Sequence, residues 1–149
     1  MADLKMSRIS SSLTVSPQLR PEDFPILAAR GVRMVVNNRH DGEEPVQLTA
    51  AQAADLATAN GMEYRHIPIT LPAVSESDVQ RFAEVLAGAN GPVHAHCRSG
   101  LRSVTLWAIG EAAAGRLTTE QVKRAIEAAG YDAKSALTWL SGHHIGVTS

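Results

Sequence analysis

The chain holds a single cysteine, and the residues around it are the ones that can do chemistry: His94-Ala95-His96-Cys97-Arg98-Ser99-Gly100-Leu101-Arg102-Ser103. A thiolate is a nucleophile, and a nearby cation or a helix start lowers the pKa that controls it. A short apolar run ends at His96. After the loop, Val104-Thr105-Leu106-Trp107-Ala108-Ile109-Gly110 is apolar on nearly all sides and reads as a buried helix. Strand, tight loop and helix put Cys97 outside the carboxyl end of a strand, where open α/β sheets bind ligands. The helix start adds free backbone N–H groups and positive dipole charge, which together hold an anion.

Each loop residue has a job to fill. Cys97 is the expected nucleophile. Arg102 opens the helix and can grip two oxygens of an oxyanion with its fork of donors, which makes these two the expected catalytic pair. Gly100 gives the backbone a conformation closed to other residues and turns N–H groups inward. Ser103 is placed to hydrogen-bond the thiolate. His96 is placed to orient the loop or to bias the charge on sulfur. Arg98, Ser99, Gly100 and Leu101, with Ser103, complete the loop's expected substrate-binding set. The Arg98 side chain is expected to point outward, because adjacent residues in a tight loop seldom converge. The competing reading is a buried structural thiol. Cys-x-x-Gly-x-Arg-Ser between a strand and a helix argues against it.

The loop His96–Ser103 resembles the active-site loops of cysteine-dependent phosphatases and of rhodanese-type sulfurtransferases. Three further stretches narrow the resemblance: Ile9…Leu13-x-Val15-Ser16-Pro17-Gln18, Asn37-Asn38-Arg39-x-Asp41-Gly42-Glu43-Glu44-Pro45, and Tyr64-x-His66-Ile67-Pro68. With these, about residues 7–140 are similar to the phosphatase-like domain of the beta-lactamase hydrolase-like proteins, a family described both as phosphatase-like and as a sulfur transferase. The resemblance implies a fold like that of dual-specificity tyrosine phosphatases. Some members carry this domain fused to a metallo-beta-lactamase-like, persulfide-oxidising domain, which this sequence does not include.

Two departures from the phosphatase pattern bear on the reaction. The phosphatase loop sets five residues between cysteine and arginine, whereas four separate Cys97 from Arg102, the rhodanese-type length. A shorter loop makes a smaller cradle, better matched to a sulfur carried on cysteine than to a phosphoryl group. The loop that should supply an aspartate as general acid reads Ile69-Thr70-Leu71-Pro72-Ala73-Val74, with no acid. General acid help is worth about 100- to 10,000-fold. Sulfur transfer to a thiol needs it less, because the leaving thiolate or sulfite is already a weak base.

Length and composition fit one soluble globular domain over residues 1–149, with 44% hydrophobic and 19% charged residues. A net charge of −1 offers no basic face for nucleic acid. One cysteine leaves no internal disulfide and no resolving thiol, so an acceptor thiol must come from outside, and a reducing compartment suits it. No hydrophobic signal core opens the chain and no apolar run spans a membrane, so the expected location is the cytoplasm. No cofactor is called for. His143-His144 lacks the Cys or carboxylate spacing of a metal site, and no metal is expected.

The elements that must position the loop follow from punctuation and period. Ile9 through Val15 reads as an edge strand. A helix opens at Pro21-Glu22-Asp23 and stops at Gly31. Val32–Asn37 reads as a buried strand leading into the polar loop 38–45. That loop lies on the same sheet edge as Cys97, so Arg39 is a further candidate binding residue, while Asp41 and the two glutamates are expected in solvent. Thr49 and Gln52 form a capping box for a helix to Asn60. Met62–Ile69 is the next strand, with His66 packed rather than catalytic. Ser75 caps a helix to Ala89, and Thr118 caps another to about Ala129. A last helix covers about Asp132–Leu140.

Strands alternating with helices predict an α/β fold, a mainly parallel four-stranded sheet flanked by helices, with the Cys97 strand in the middle and the first strand at an edge. The loops after residues 37, 69 and 97 should meet. Three functions fit: a sulfurtransferase using an anionic sulfur donor and an external thiol; a phosphatase acting on phosphorylated substrates through a Cys97 phosphoenzyme; and a non-catalytic oxyanion-binding or redox-sensing module.

Overall fold

The computed structural model describes residues 4–71 and 73–143. The chain runs through β1 (Ser7–Arg8), β2 (Leu13–Ser16), α1 (Asp23–Ala29), β3 (Met34–Asn37), α2 (Ala50–Ala59), β4 (Glu63–His66), α3 (Glu76–Gly88), β5 (Val93–His96), α4 (Leu101–Ala113), α5 (Thr119–Ala128) and α6 (Lys134–Gly142). Helices α2, α3 and α5 start where their caps predict. Thr49, Ser75 and Thr118 each accept the backbone N–H of the residue three positions on, and that residue's side chain returns to the cap's own N–H.

The sheet order is β1-β2-β5-β3-β4, with β1 antiparallel to β2 and the other pairs parallel. Five strands therefore stand where four were expected, and Ile9–Val15 is not one edge strand. Ser10-Ser11-Ser12 reverses the chain. The N–H groups of Ile9 and Ser10 both donate to the Leu13 carbonyl, at 2.9 and 3.2 Å, and the Ser12 N–H donates to Ser10 Oγ at 3.2 Å. Short hydroxyl side chains compete with the sheet ladder for backbone groups, which favours turns. So β2 lies inside the sheet beside β5, and the edge passes to β1. As expected, β5 is central.

Each face of the sheet carries a core. Leu13, Val15, Met34, Val36, Val93 and Ala95 pack with Phe82 of α3, Leu106 and Ile109 of α4, Val122 and Ile126 of α5 and Leu140 of α6. Val35 packs on the other side with Phe24 and Leu27 of α1 and Ala53 and Ala57 of α2. Helix α4 is buried continuously from Ser103 to Gly110, which explains its nearly unbroken apolar sequence. The four parallel strands end on one edge, so the loops after Asn37, His66 and His96 emerge together. No helix among the described residues is long and apolar enough to cross a membrane.

Candidate active site

Cys97 follows the last residue of β5, and Gly100 is the N-terminal cap of α4 with φ of 103°. That left-handed conformation suits glycine, and it turns the Gly100 N–H onto Cys97 Sγ at 3.0 Å. Ser99 Oγ accepts the Leu101 N–H at 3.3 Å. The Arg98 carbonyl accepts the Gln18 N–H at 3.3 Å, joining the loop to the segment after β2. Tyr131, from the connection between α5 and α6, donates its hydroxyl to the Ser99 carbonyl at 3.0 Å. Cys97 is only 1% exposed. A cavity of about 750 Å³ lies at the opposite end of the sheet, between Leu13, Phe82, Trp107 and Arg116, away from this site.

A lattice of arginines and carboxylates joins the loop after β3 to the first turn of α4. Arg102 donates from Nη1 to Glu43 Oε2 at 2.8 Å and from Nη2 to Glu43 Oε1 at 2.6 Å, the two-point geometry of a guanidinium on a carboxylate. Its Nη1 also donates to the Ile69 carbonyl at 3.2 Å. Glu43 thus takes the outer end of the fork. The Nε–H and the second Nη2 hydrogen of Arg102 have no partner among the described residues. Arg39 is fully buried. It donates from Nε to Glu43 Oε1 at 2.8 Å, from Nη1 to Gln18 Oε1 at 2.9 Å and from Nη2 to Glu44 Oε1 at 2.5 Å. All three nitrogens of its guanidinium are engaged, so Arg39 borders the site as a brace rather than an open binding group. Arg98 is 69% exposed and approaches Glu44 at 3.5 Å, so it points outward as expected.

Glu43 and Glu44 thus remain partly exposed, as expected, but both are bonded to arginines rather than simply solvated. The Arg102 hydrogen bonds, helped by those of Arg39 and opposed by burial, pull the Glu43 pKa down to about 2. Hydrogen bonding to Arg39 likewise lowers that of Glu44. The Arg102 pKa is raised, first by Glu43 and, against burial, also by the charge of Cys97.

Behind the loop lies a polar row. Ser16, His96, Asn37 and His66 stand in register across β2, β5, β3 and β4. Ser103 does not bond the thiolate; its hydroxyl donates to Asn38 Oδ1 at 2.8 Å. Asn38 is fixed there by its backbone N–H on the His96 carbonyl, 2.8 Å, and its amide on the Ile67 carbonyl, 2.9 Å. Its buried carbonyl oxygen needs a donor, and Ser103 is the one that meets it.

His96 is fully buried with neither ring nitrogen hydrogen-bonded among the described residues. Burial, opposed by the Cys97 backbone and helped by Arg39 and His66, pushes its pKa down to about 3. It is neutral and lends no positive charge to the sulfur, which corrects that part of the expectation; its backbone carbonyl still anchors Asn38. His66 donates from Nε2 to the Arg39 carbonyl at 2.7 Å and is structural, as expected. Ser16 donates to the Pro17 carbonyl at 2.8 Å, so its oxygen accepts the His94 Nε2–H at 2.7 Å while the Thr14 hydroxyl donates to His94 Nδ1 at 2.8 Å.

His144 lies outside the described residues. His143 stacks on Trp139 with ring centroids 3.6 Å apart. Among the described residues no group of three or more His, Cys, Asp or Glu is arranged to hold a metal ion.

Residues 3–114 match the family described as beta-lactamase hydrolase-like protein, phosphatase-like domain. The chain belongs to this family. An Agrobacterium fabrum beta-lactamase hydrolase-like protein is 39% identical over 137 residues, which cover 92% of this chain and 32% of the relative. The phosphatase-like domain described here thus spans about a third of the length of the curated relatives it matches. A Neisseria meningitidis structure described as a candidate phosphatase superposes with a TM-score of 0.83 at 30% identity, covering 91% of this chain and 96% of that one. P. aeruginosa TpbA shares the fold alone, with a TM-score of 0.73 at 16% identity, over 95% of this chain and 87% of its own.

The loops after residues 37, 69 and 97 do meet: Glu43, the Ile69 carbonyl and Arg102 are bonded together. Two residues of the phosphatase-like domain's site were missed. Glu43 sits four positions after Arg39 in a loop on the cysteine's edge, a spacing that could have flagged an arginine–carboxylate pair. Tyr131 carries no local signal beyond being a lone aromatic after Gly130.

Proposed function

We propose that the domain is a sulfurtransferase that carries sulfur on Cys97. The Cys97 thiolate attacks the sulfane sulfur of thiosulfate and a new S–S bond forms. The old S–S bond breaks, and its electron pair leaves with sulfite. Cys97 is then a persulfide anion. An external thiolate attacks the outer sulfur, takes it as a new persulfide and returns Cys97 as thiolate. Charge is conserved in both steps. The Gly100 N–H and the unpartnered edge of Arg102 are the donors available to the anionic adduct.

The observation that carries this reading is the state of Glu43. It is the carboxylate bonded to Arg102, and its two oxygens together accept hydrogen bonds from Arg102 and Arg39, so it holds the arginines rather than giving a proton. Neither sulfite nor a thiolate needs one to leave, whereas an alkyl phosphate does. The low exposure of Cys97, 1%, also favours a small donor over a phosphorylated protein surface. The partners implied are a small anionic sulfur donor and an external thiol. The reading takes residues 1–149 as one domain in a reducing, cytoplasmic setting.

A second reading is a phosphatase working through a Cys97 phosphoenzyme. The family description and the phosphatase-like fold favour it, and TpbA has been solved in complex with pTyr. One preparation decides between them. With thiosulfate, Cys97 is expected to gain the mass of one sulfur, and thiocyanate is expected when cyanide is the acceptor. Rates on a phosphotyrosine peptide are measured beside it, with Cys97→Ser as blank. No adduct and no thiocyanate, with peptide hydrolysis that needs Cys97, would establish the phosphatase. Oxyanion binding that survives Cys97→Ser, with turnover of neither substrate, would make the domain a binding module.

A further inference from the structure

One peptide unit of the loop is held at both ends. Its carbonyl, on Ser99, accepts the Tyr131 hydroxyl at 3.0 Å; its N–H, on Gly100, donates to Cys97 Sγ at 3.0 Å. A trans peptide is planar, with its C=O and N–H pointing in opposite directions, and twisting it is costly. Fixing the oxygen therefore fixes the direction of the hydrogen. We propose that Tyr131 is a positioning residue that aims the Gly100 N–H at the Cys97 sulfur through the Ser99–Gly100 peptide plane.

Three observations converge on this. First, the peptide is one that can rotate. Gly100 has φ of 103°, and a peptide preceding a glycine is free to turn over, because glycine accepts either sign of φ. Turned over, it would present the Ser99 carbonyl oxygen to a thiolate, a repulsive contact in place of an attractive one. A donor on the far side holds it the right way round. Second, the tyrosine and the glycine fit each other. A Cβ on Gly100 would lie 2.1 Å from Tyr131 Oη and 2.8 Å from Cζ. The missing side chain is thus what lets the ring approach the loop. Third, the hydroxyl keeps its proton. Burial, and then the charge of Cys97, raise the Tyr131 pKa above its ordinary 10.0, so it remains a donor throughout the neutral range. Tyr131 comes from 32 positions further along the chain than Ser99, so docking of the α5–α6 connection sets the polarity of the cradle.

The inference rests on Cys97 acting as a thiolate nucleophile, but not on which group it transfers. The test is the pH dependence of Cys97 alkylation by iodoacetamide, read by mass, in the parent chain, in Tyr131→Phe and in Asp132→Ala. Asp132 Oδ1 accepts the Lys134 N–H at the start of α6, 2.8 Å, so its loss disturbs the same connection without touching the Ser99 carbonyl. The midpoint is expected to rise by about one pH unit in Tyr131→Phe, the scale of one hydrogen bond to a charged group, and to stay put in Asp132→Ala. A Tyr131→Phe profile equal to the parent's overturns the inference, and so do equal shifts in both variants. If Tyr131→Phe does not fold, carbon-13 NMR of the Tyr131 Cζ in the parent serves instead. That signal is expected to move at the Cys97 midpoint, and a flat signal through the titration overturns the inference. An unreactive Cys97 in the parent would instead undo the nucleophile assignment itself.

Discussion

At the scale of single residues, Glu43 answers two guanidinium groups with one carboxylate. Replacing it with glutamine weakens the acceptor for Arg102 and for the fully buried Arg39. Glu43→Gln is expected to lower the rate of sulfur transfer by up to about 100-fold, the scale of a catalytic group displaced by an ångström, as measured by thiocyanate formation. The pH dependence has a definite sign. The folded pKa of Glu43, about 2, lies below its ordinary 4.5. Its contribution to stability is complete above the higher value and is lost as pH falls through the lower one. The gap in urea midpoint between the parent and Glu43→Gln should narrow as pH is lowered across that window; a constant gap would show that the carboxylate's charge does not matter there. Gly100 is the second sensitive position. Its φ of 103° costs an alanine about 1–2 kcal/mol, and the new Cβ would meet Tyr131. Gly100→Ala should be less stable by at least that amount in thermal unfolding.

At the scale of elements, one side-chain bond ties α4 to the end of β3. Ser103→Ala would leave Asn38 Oδ1 buried without its donor. The expected loss is about 1–3 kcal/mol in urea unfolding; an unchanged midpoint would mean that another donor replaces the hydroxyl. The elements themselves were largely legible. Thr49, Ser75 and Thr118 announce their helices because a capping box is local in sequence. The strand–loop–helix around Cys97 is legible because its apolar runs and Gly100 are punctuation that a reader can follow. The Ser10–Ser12 reversal was not, because three serines carry no glycine or proline punctuation and the apolar residues on either side, Ile9, Leu13 and Val15, stay in step. The pairing of Glu43 with Arg102 joins residues 59 positions apart, and Tyr131 meets Ser99 across 32. Spacing within a loop says nothing about such bonds. They depend on which loops the sheet order brings together, and the four-strand expectation had that order incomplete.

At the scale of the whole molecule, the two buried histidines of β5 set how the fold meets acid. Burial, first among several causes, holds the pKa of His94 and of His96 down to about 3, against an ordinary 6.5. The unfolded chain takes up protons near the higher value that the folded chain refuses, so stability is complete above it and declines steadily on acidification towards the lower one. His96 has no hydrogen-bond partner among the described residues to lose, which makes His96→Gln the informative variant: it should flatten that decline. A urea midpoint indifferent to pH across the window would contradict this. The lattice around Arg39 has a consequence for how such a scaffold could change trade. Glu43 and Glu44 are both committed to holding arginines. On the proposed reading, retooling the domain for ester hydrolysis would take two alterations, a longer turn after Cys97 and a proton source from a strand end other than that of β3. On that reading either alteration alone would disturb the sulfur carrier without yielding a hydrolase, so the two would have to arrive together.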